Sequence, residues 1–356
     1  DSGESLGIAQ ILLEQLSQSC QQDTKLWKRY FDATEQHLEN KAIDLKQLGK
    51  EVQWLTECKP EDAEIPLPYK LAWLTAQLEA TNHLGHVDED KVDELRKLCN
   101  KLYAERADLV CQAELVLAVR ATNQFQFDEA TRILERWKDK DMEVAGRKHF
   151  GRVQSSFGQH AAFNGDFAAA EKYFAKAIET FEKLTDEAEA SGEKLHTATY
   201  RAIAAMDCPE TDLNLIRQHV ESVTPLGLEN IGEMAINASA EAKYKHHLLL
   251  RYLFQHGNQE ERNAYLQERE NWDVDFGHPW QLIEAYRGIL LHPTAPEEAI
   301  SHMQKGYALA EGQGPTVRMI GLTLGVIAMG WGADEIVTRE ELEQLRKELP
   351  ATSDRI

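Results

Sequence analysis

Apolar side chains recur at i, i+3, i+4 and i+7 along almost the whole chain, the spacing that gathers them on one face of an α-helix. Runs of strict alternation, which would mark half-buried strands, are absent. The pattern predicts about seventeen helices, mostly of roughly 10–20 residues, joined by short turns. The predicted fold class is therefore all-α. Proline is scarce, at 10 in 356 residues, so little interrupts the helices.

The segment Gly151–Phe181 is the most specific. Its first helix carries Gly158 and Ala161, Asn164-Gly165-Asp166 makes a turn, and the second helix carries Ala170, Phe174 and Ala177. Small residues at Gly158 and Ala170 let two antiparallel helices approach closely, while Phe174 fills the layer toward the next pair. This resembles the tetratricopeptide repeat (TPR), defined by a glycine in the first helix and alanine, phenylalanine and alanine in the second. The closing proline of that family is absent, and Glu182 stands in its place.

Weaker copies flank this repeat. Ala118, Ala121, Ala130 and Leu134 occupy the corresponding slots upstream, and Ala299 and Met303 do so downstream, after the Pro293–Pro296 turn. The Tyr244–Glu268 segment repeats the turn at Gly257-Asn258, but Arg262 falls on a small-residue slot. Ala130 and Ala170 are 40 residues apart, against a TPR period of about 34, which implies an insertion near 139–146. The resemblance implies a right-handed superhelix of TPR-like antiparallel hairpins. The expected organisation is an N-terminal helical segment over 1–60, TPR-like repeats over 61–335, and a capping helix and tail over 336–356. Thr338 and Glu341 form a capping box at the start of that last helix.

The charge changes the list of partners. With 39 basic and 60 acidic residues the chain carries a formal −21, which argues against a nucleic-acid scaffold, since phosphate binding needs a concentrated cationic face. Met319–Ala333 is uncharged but shorter than the roughly 20 residues a membrane span needs, so it reads as a buried helix. Its small residues Gly321, Gly325, Ala328 and Gly332 read as internal packing, with a homodimer seam as the alternative. Five widely spaced cysteines without a CxxC pair, and a start at Asp1-Ser2-Gly3-Glu4 that lacks the order of a signal peptide, lead to the cytoplasm as the expected location.

Phosphate-loop, HExxH, GxSxG and GxGxxG motifs are absent, so enzymatic activity is not expected, nor is a cofactor or metal. Three histidine clusters were weighed. Asp273, Asp275 and His278 share a loop and are the strongest metal candidates, although two carboxylates rarely complete a hard-cation shell. His83 and His86, followed by Asp88 and Asp90, read as a helix end and the cap of the next helix. His246 and His247 point about 100° apart on a helix and are expected to be partly exposed packing.

In stacked hairpins the first helices line a concave face that can hold a peptide or helix. The TPR alignment places Gln112, Val119 and Asn123 from one repeat and Arg152, Ser155, Gln159 and Phe163 from the next on that face. The TPR carboxylate clamp uses Lys and Asn at groove positions; Leu115 and Val119 hold two of those slots here, so a clamp of that type is not expected. Packing of Leu115, Val119 and Phe163 against neighbouring helices is the competing account of those three. The expected function is a non-enzymatic scaffold or adaptor binding a protein or peptide. The alternatives are the sensor or regulatory portion of a larger signalling or defence protein, and an all-helical metal-binding protein or enzyme using the Asp273–His278 loop.

Overall fold

A computed structural model describes residues 67–82, 88–140, 145–228, 230–231, 240–272 and 281–348, so the expected 1–60 segment lies outside the described residues. The described residues are helical and contain no strand. In chain order the helices are α1 (Leu67–Thr81), α2 (Glu89–Leu102), α3 (Ala107–Asn123), α4 (Phe127–Leu134), α5 (Arg147–Phe163), α6 (Phe167–Phe181) and α7 (Glu187–Asp207). There follow α8 (Leu213–Glu221), α9 (Ala240–Gln255), α10 (Gln259–Gln267), α11 (Gln281–Leu291), α12 (Pro296–Ala308), α13 (Pro315–Gly330) and α14 (Arg339–Glu348). None is long and apolar enough to cross a membrane.

The described residues divide into two compact units, with the division falling inside α3 between Arg120 and Ala121. In the first unit α1 packs on α2, burying Leu71, Leu74 and Leu78 together with Val92, Leu95 and Leu102. The amide of Asn82 donates to the Val116 carbonyl at 3.0 Å, and Arg120 pairs with Glu89. Asp88 caps α2 by accepting from the main-chain N–H groups of Asp90 and Lys91.

The second unit is built from hairpins, and the reason lies in its small residues. A Cβ on Gly158 of α5 would lie 2.7 Å from the Phe174 ring of α6, so only glycine admits this approach. Ala170, Phe174 and Ala177 are all fully buried. The interlock recurs in α11 and α12, where a Cβ on Gly288 would lie 2.9 Å from Met303 Cε and 3.0 Å from the Ala299 carbonyl. At the C-terminal end, Gly321 abuts Ala310 and Gly325 abuts Val337, so these two glycines serve packing inside the unit.

Turn chemistry follows the same logic. Gly165 adopts φ +76° between α5 and α6, and the Asp166 side chain accepts from Ala169 N–H at 3.0 Å. Forty positions earlier, between α3 and α4, Phe125 adopts φ 59° at the equivalent turn. A left-handed phenylalanine costs about 1–2 kcal/mol, and the burial of its ring offsets that cost.

Successive first helices pack against one another: α5 on α7, α7 on α9, α9 on α11 and α11 on α13. The α9–α10 pair is the exception to close hairpin packing and stays wider than α5–α6. Arg262 holds the small-residue slot there and reaches back to α9, donating to the carbonyls of Leu253 at 2.8 Å and Phe254 at 3.0 Å. The wider space is filled with large residues. Tyr252, Tyr265, Trp272 and Leu291 sit in the core between α9, α10 and α11.

Candidate ligand-binding face

The first-helix packing brings α5, α7 and α9 side by side and defines one surface that carries polar and aromatic side chains together. Arg152 of α5 donates from Nε to Glu193 Oε1 of α7 at 2.8 Å. One turn further along, Thr197 Oγ1 donates to Ser155 Oγ at 3.2 Å. Beside this pair His196 of α7 packs against Tyr200, with ring centroids 4.9 Å apart, and edge-on against Tyr244 of α9, with centroids 5.3 Å apart.

His196, Tyr200 and Tyr244 each keep some solvent exposure, yet all three show the electrostatic signature of desolvation. Burial pushes the Tyr200 phenol up to about 12, with Tyr244 adding to the rise. Burial raises Tyr244 as well, and Glu193 raises it further. The His196 imidazole is held below its ordinary range by burial; Glu193 pulls it back up more strongly than Arg152 pushes it down. His196 is thus neutral near pH 7.

The expected groove residues separate in the structure. Arg152 and Ser155 belong to the α5–α7 rungs just described, Arg152 already held by Glu193 and Ser155 buried against Thr197. Gln159 is half-buried. Phe163, at the far end of α5, is 67% exposed and packs on Phe127 with centroids 5.3 Å apart. Asn123 gives its main-chain carbonyl to Thr316. Gln112 and Val119 fall in the first unit, Gln112 half-buried and Val119 46% exposed. Sequence reasoning missed Glu193, His196, Tyr200 and Tyr244. The available signal was the Thr197, Tyr200 and Ala204 spacing on α7, which continues the first-helix pattern of α5 outside the clear repeat.

A second constellation is sealed from solvent. His246 and His247, expected to be partly exposed packing, are both buried, because α9 is covered by α7 on one side and α11 on the other. His246 Nε2 meets Tyr265 Oη at 2.7 Å, and Arg287 Nε donates to the same oxygen at 3.1 Å. Since Arg287 can only donate, the Tyr265 oxygen accepts from it and shares its second hydrogen bond with His246 Nε2. Burial first, then Arg287 and His247, hold the His246 pKa well below its ordinary value. Arg287 is 1% exposed, donates from Nη1 to the Trp272 carbonyl at 3.0 Å and lies over the Trp272 ring at 4.9 Å. Alongside, Glu284 accepts from Lys305 at 3.0 Å and meets His302 Nδ1 at 2.6 Å. This network ties α9, α10, α11 and α12 together, with Lys305 at its solvent-facing edge.

Among the described residues no three His, Cys, Asp or Glu side chains are placed to hold a metal ion. The Asp273–His278 loop and the His83–His86 pair lie outside the described residues. No protein-family model, curated protein or solved structure matches the chain.

Proposed function

We propose that the chain is a non-enzymatic interaction scaffold, a TPR-like superhelix whose first-helix face captures a segment of a partner protein. The observation that carries this reading is the consecutive packing of α5, α7 and α9, which places Arg152, Glu193, His196, Tyr200 and Tyr244 side by side. Aromatic rings with a polar tip, combined with arginine, are the residue types enriched where proteins bind proteins. The described chemistry favours recognition over catalysis: the exposed cluster pairs its ionic groups with each other. The described cysteines Cys99, Cys111 and Cys208 are thiols, in keeping with work in the cytoplasm.

The test is affinity capture from native lysate read by mass spectrometry, comparing the wild-type chain with a Tyr200→Ala/Tyr244→Ala variant of matched helicity. A partner retained by the wild type and lost by the variant supports the reading. Identical sets of retained proteins, or none, remove the first-helix face as the functional surface.

A further inference from the structure

The same residues have a polarity that narrows the class of partner, an inference that rests on the scaffold reading above. Three rings, His196, Tyr200 and Tyr244, converge from α7 and α9 with centroid separations of 4.9 and 5.3 Å. Glu193 borders them, and its charge reaches both Tyr244 and His196. Arg152 neutralises part of that charge, but its influence at His196 is smaller than that of Glu193, and it has no resolved influence at Tyr244. Of the two charges, Glu193 acts on the rings more strongly. Aromatic faces add to its effect, because the ring quadrupole presents negative charge above the plane. The chain as a whole carries −21, so long-range attraction acts in the same direction.

We propose that the ring cluster His196–Tyr200–Tyr244, with Glu193 at its edge, receives a cationic side chain, arginine or lysine, from an extended basic segment of the partner. A guanidinium or ammonium group placed against these half-buried rings gains cation–π attraction, and Glu193 supplies the countercharge. Arg152 is the resident cation that an incoming one competes with for Glu193. An acidic or phosphorylated segment meets the opposite conditions: the Glu193 carboxylate, and an arginine already engaged.

The experiment uses two fluorescein-labelled nonapeptides of glycine and serine, one with arginine at alternate positions and the other with citrulline at the same positions. Citrulline keeps the shape and removes the charge. Fluorescence anisotropy should show the arginine peptide binding tighter than the citrulline peptide. Tyr200→Ala and Glu193→Gln should each weaken arginine-peptide binding roughly 5–30-fold. Tyr200→Phe keeps the ring and should bind as the wild type does, which separates lost recognition from lost folding. Equal binding of the two peptides, equal binding by the wild type and Tyr200→Ala, or no binding of either peptide overturns the inference. If the peptides are indifferent while Tyr200→Ala/Tyr244→Ala still abolishes lysate capture, the cationic inference falls and the scaffold reading stands. If that double variant leaves capture unchanged, the scaffold reading falls with it.

Discussion

Thr316, at the start of α13, donates its hydroxyl to the main-chain carbonyl of Asn123, at the end of α3, across 2.8 Å and 193 residues of chain. The second unit is thus fastened between its first and nearly its last helix by a bond that no local pattern announces. Thr316→Val keeps the shape and removes the donor. The expected cost is about 0.5–1.5 kcal/mol in urea unfolding, with faster amide hydrogen exchange at the N-terminal turn of α13. Exchange there unchanged from the wild type would show that the fastening does not hold that end.

The Gly158–Phe174 interlock makes α5–α6 intolerant of added volume. Ala170→Leu should destabilise by about 1–3 kcal/mol, and Gly158→Ala by a comparable amount, since the Phe174 ring must move. The measurement is the thermal midpoint of each variant. A midpoint equal to that of the wild type would mean that the hairpin does not pack through these residues.

Tyr265 is the shared partner of His246 and Arg287 in the buried network. Tyr265→Phe fills the same space but leaves the His246 Nε2 and Arg287 Nε atoms without the hydroxyl between them. The expected loss is about 1–3 kcal/mol. A neutral or stabilising Tyr265→Phe would show that the network contributes nothing beyond its packing.

The buried histidines also set a pH dependence. His247 has its pKa lowered from 6.5 to about 3 by burial and by Arg251, and His246 is lowered well below 6.5. In the unfolded chain both take up a proton near 6.5, whereas in the folded chain they stay neutral. The unfolded state therefore binds more protons below 6.5: stability is complete above that pH and falls as the pH drops, for His247 down toward about 3. Each imidazole contributes a slope approaching about 1.4 kcal/mol per pH unit once the unfolded side chain is protonated. His160, His196 and His219 shift in the same direction. Urea midpoints at pH 7, 6 and 5 should decline, and His247→Gln should lower the slope by about one proton. An identical slope in that variant would place His247 outside this effect.

Arg152 pairs with Glu193, whose side chain is only 14% exposed. Arg152→Glu places two carboxylates side by side and should tighten arginine-peptide binding in the anisotropy assay, because the countercharge at the rings grows while the competing cation is lost. The charge swap Arg152→Glu/Glu193→Arg restores the pair but moves the carboxylate from α7 to α5. If the swapped variant binds the arginine peptide as the wild type does, the pair acts only as a strut between α5 and α7, and the side on which Glu193 stands is immaterial.

The clear repeat was legible because its chemistry is local. Gly158, Asn164-Gly165-Asp166, Ala170 and Phe174 sit within one hairpin, and their spacing alone states how two helices meet. The α9–α10 hairpin was read only in part, since Arg262 in a small-residue slot signals a wider pair without saying what fills the space. His246 and His247 read as only partly buried because the pattern of a single helix cannot count how many neighbours it will acquire. The candidate face was half visible: Arg152 and Ser155 follow from the repeat, but their partners Glu193 and Thr197 lie 41 and 42 residues away on another helix.

What the sequence by itself determined is the all-helical class, the turns and caps, and the interlock of α5 with α6. Each of these depends on forces acting between residues a few turns apart, and helical periodicity records such forces directly. Tertiary structure alone decided which helix faces became interior, which charges found each other, and where the rings of α7 and α9 converge. Those outcomes depend on the packing of first helix upon first helix, where the loops between hairpins vary in length and break the register that a regular repeat would have written into the chain.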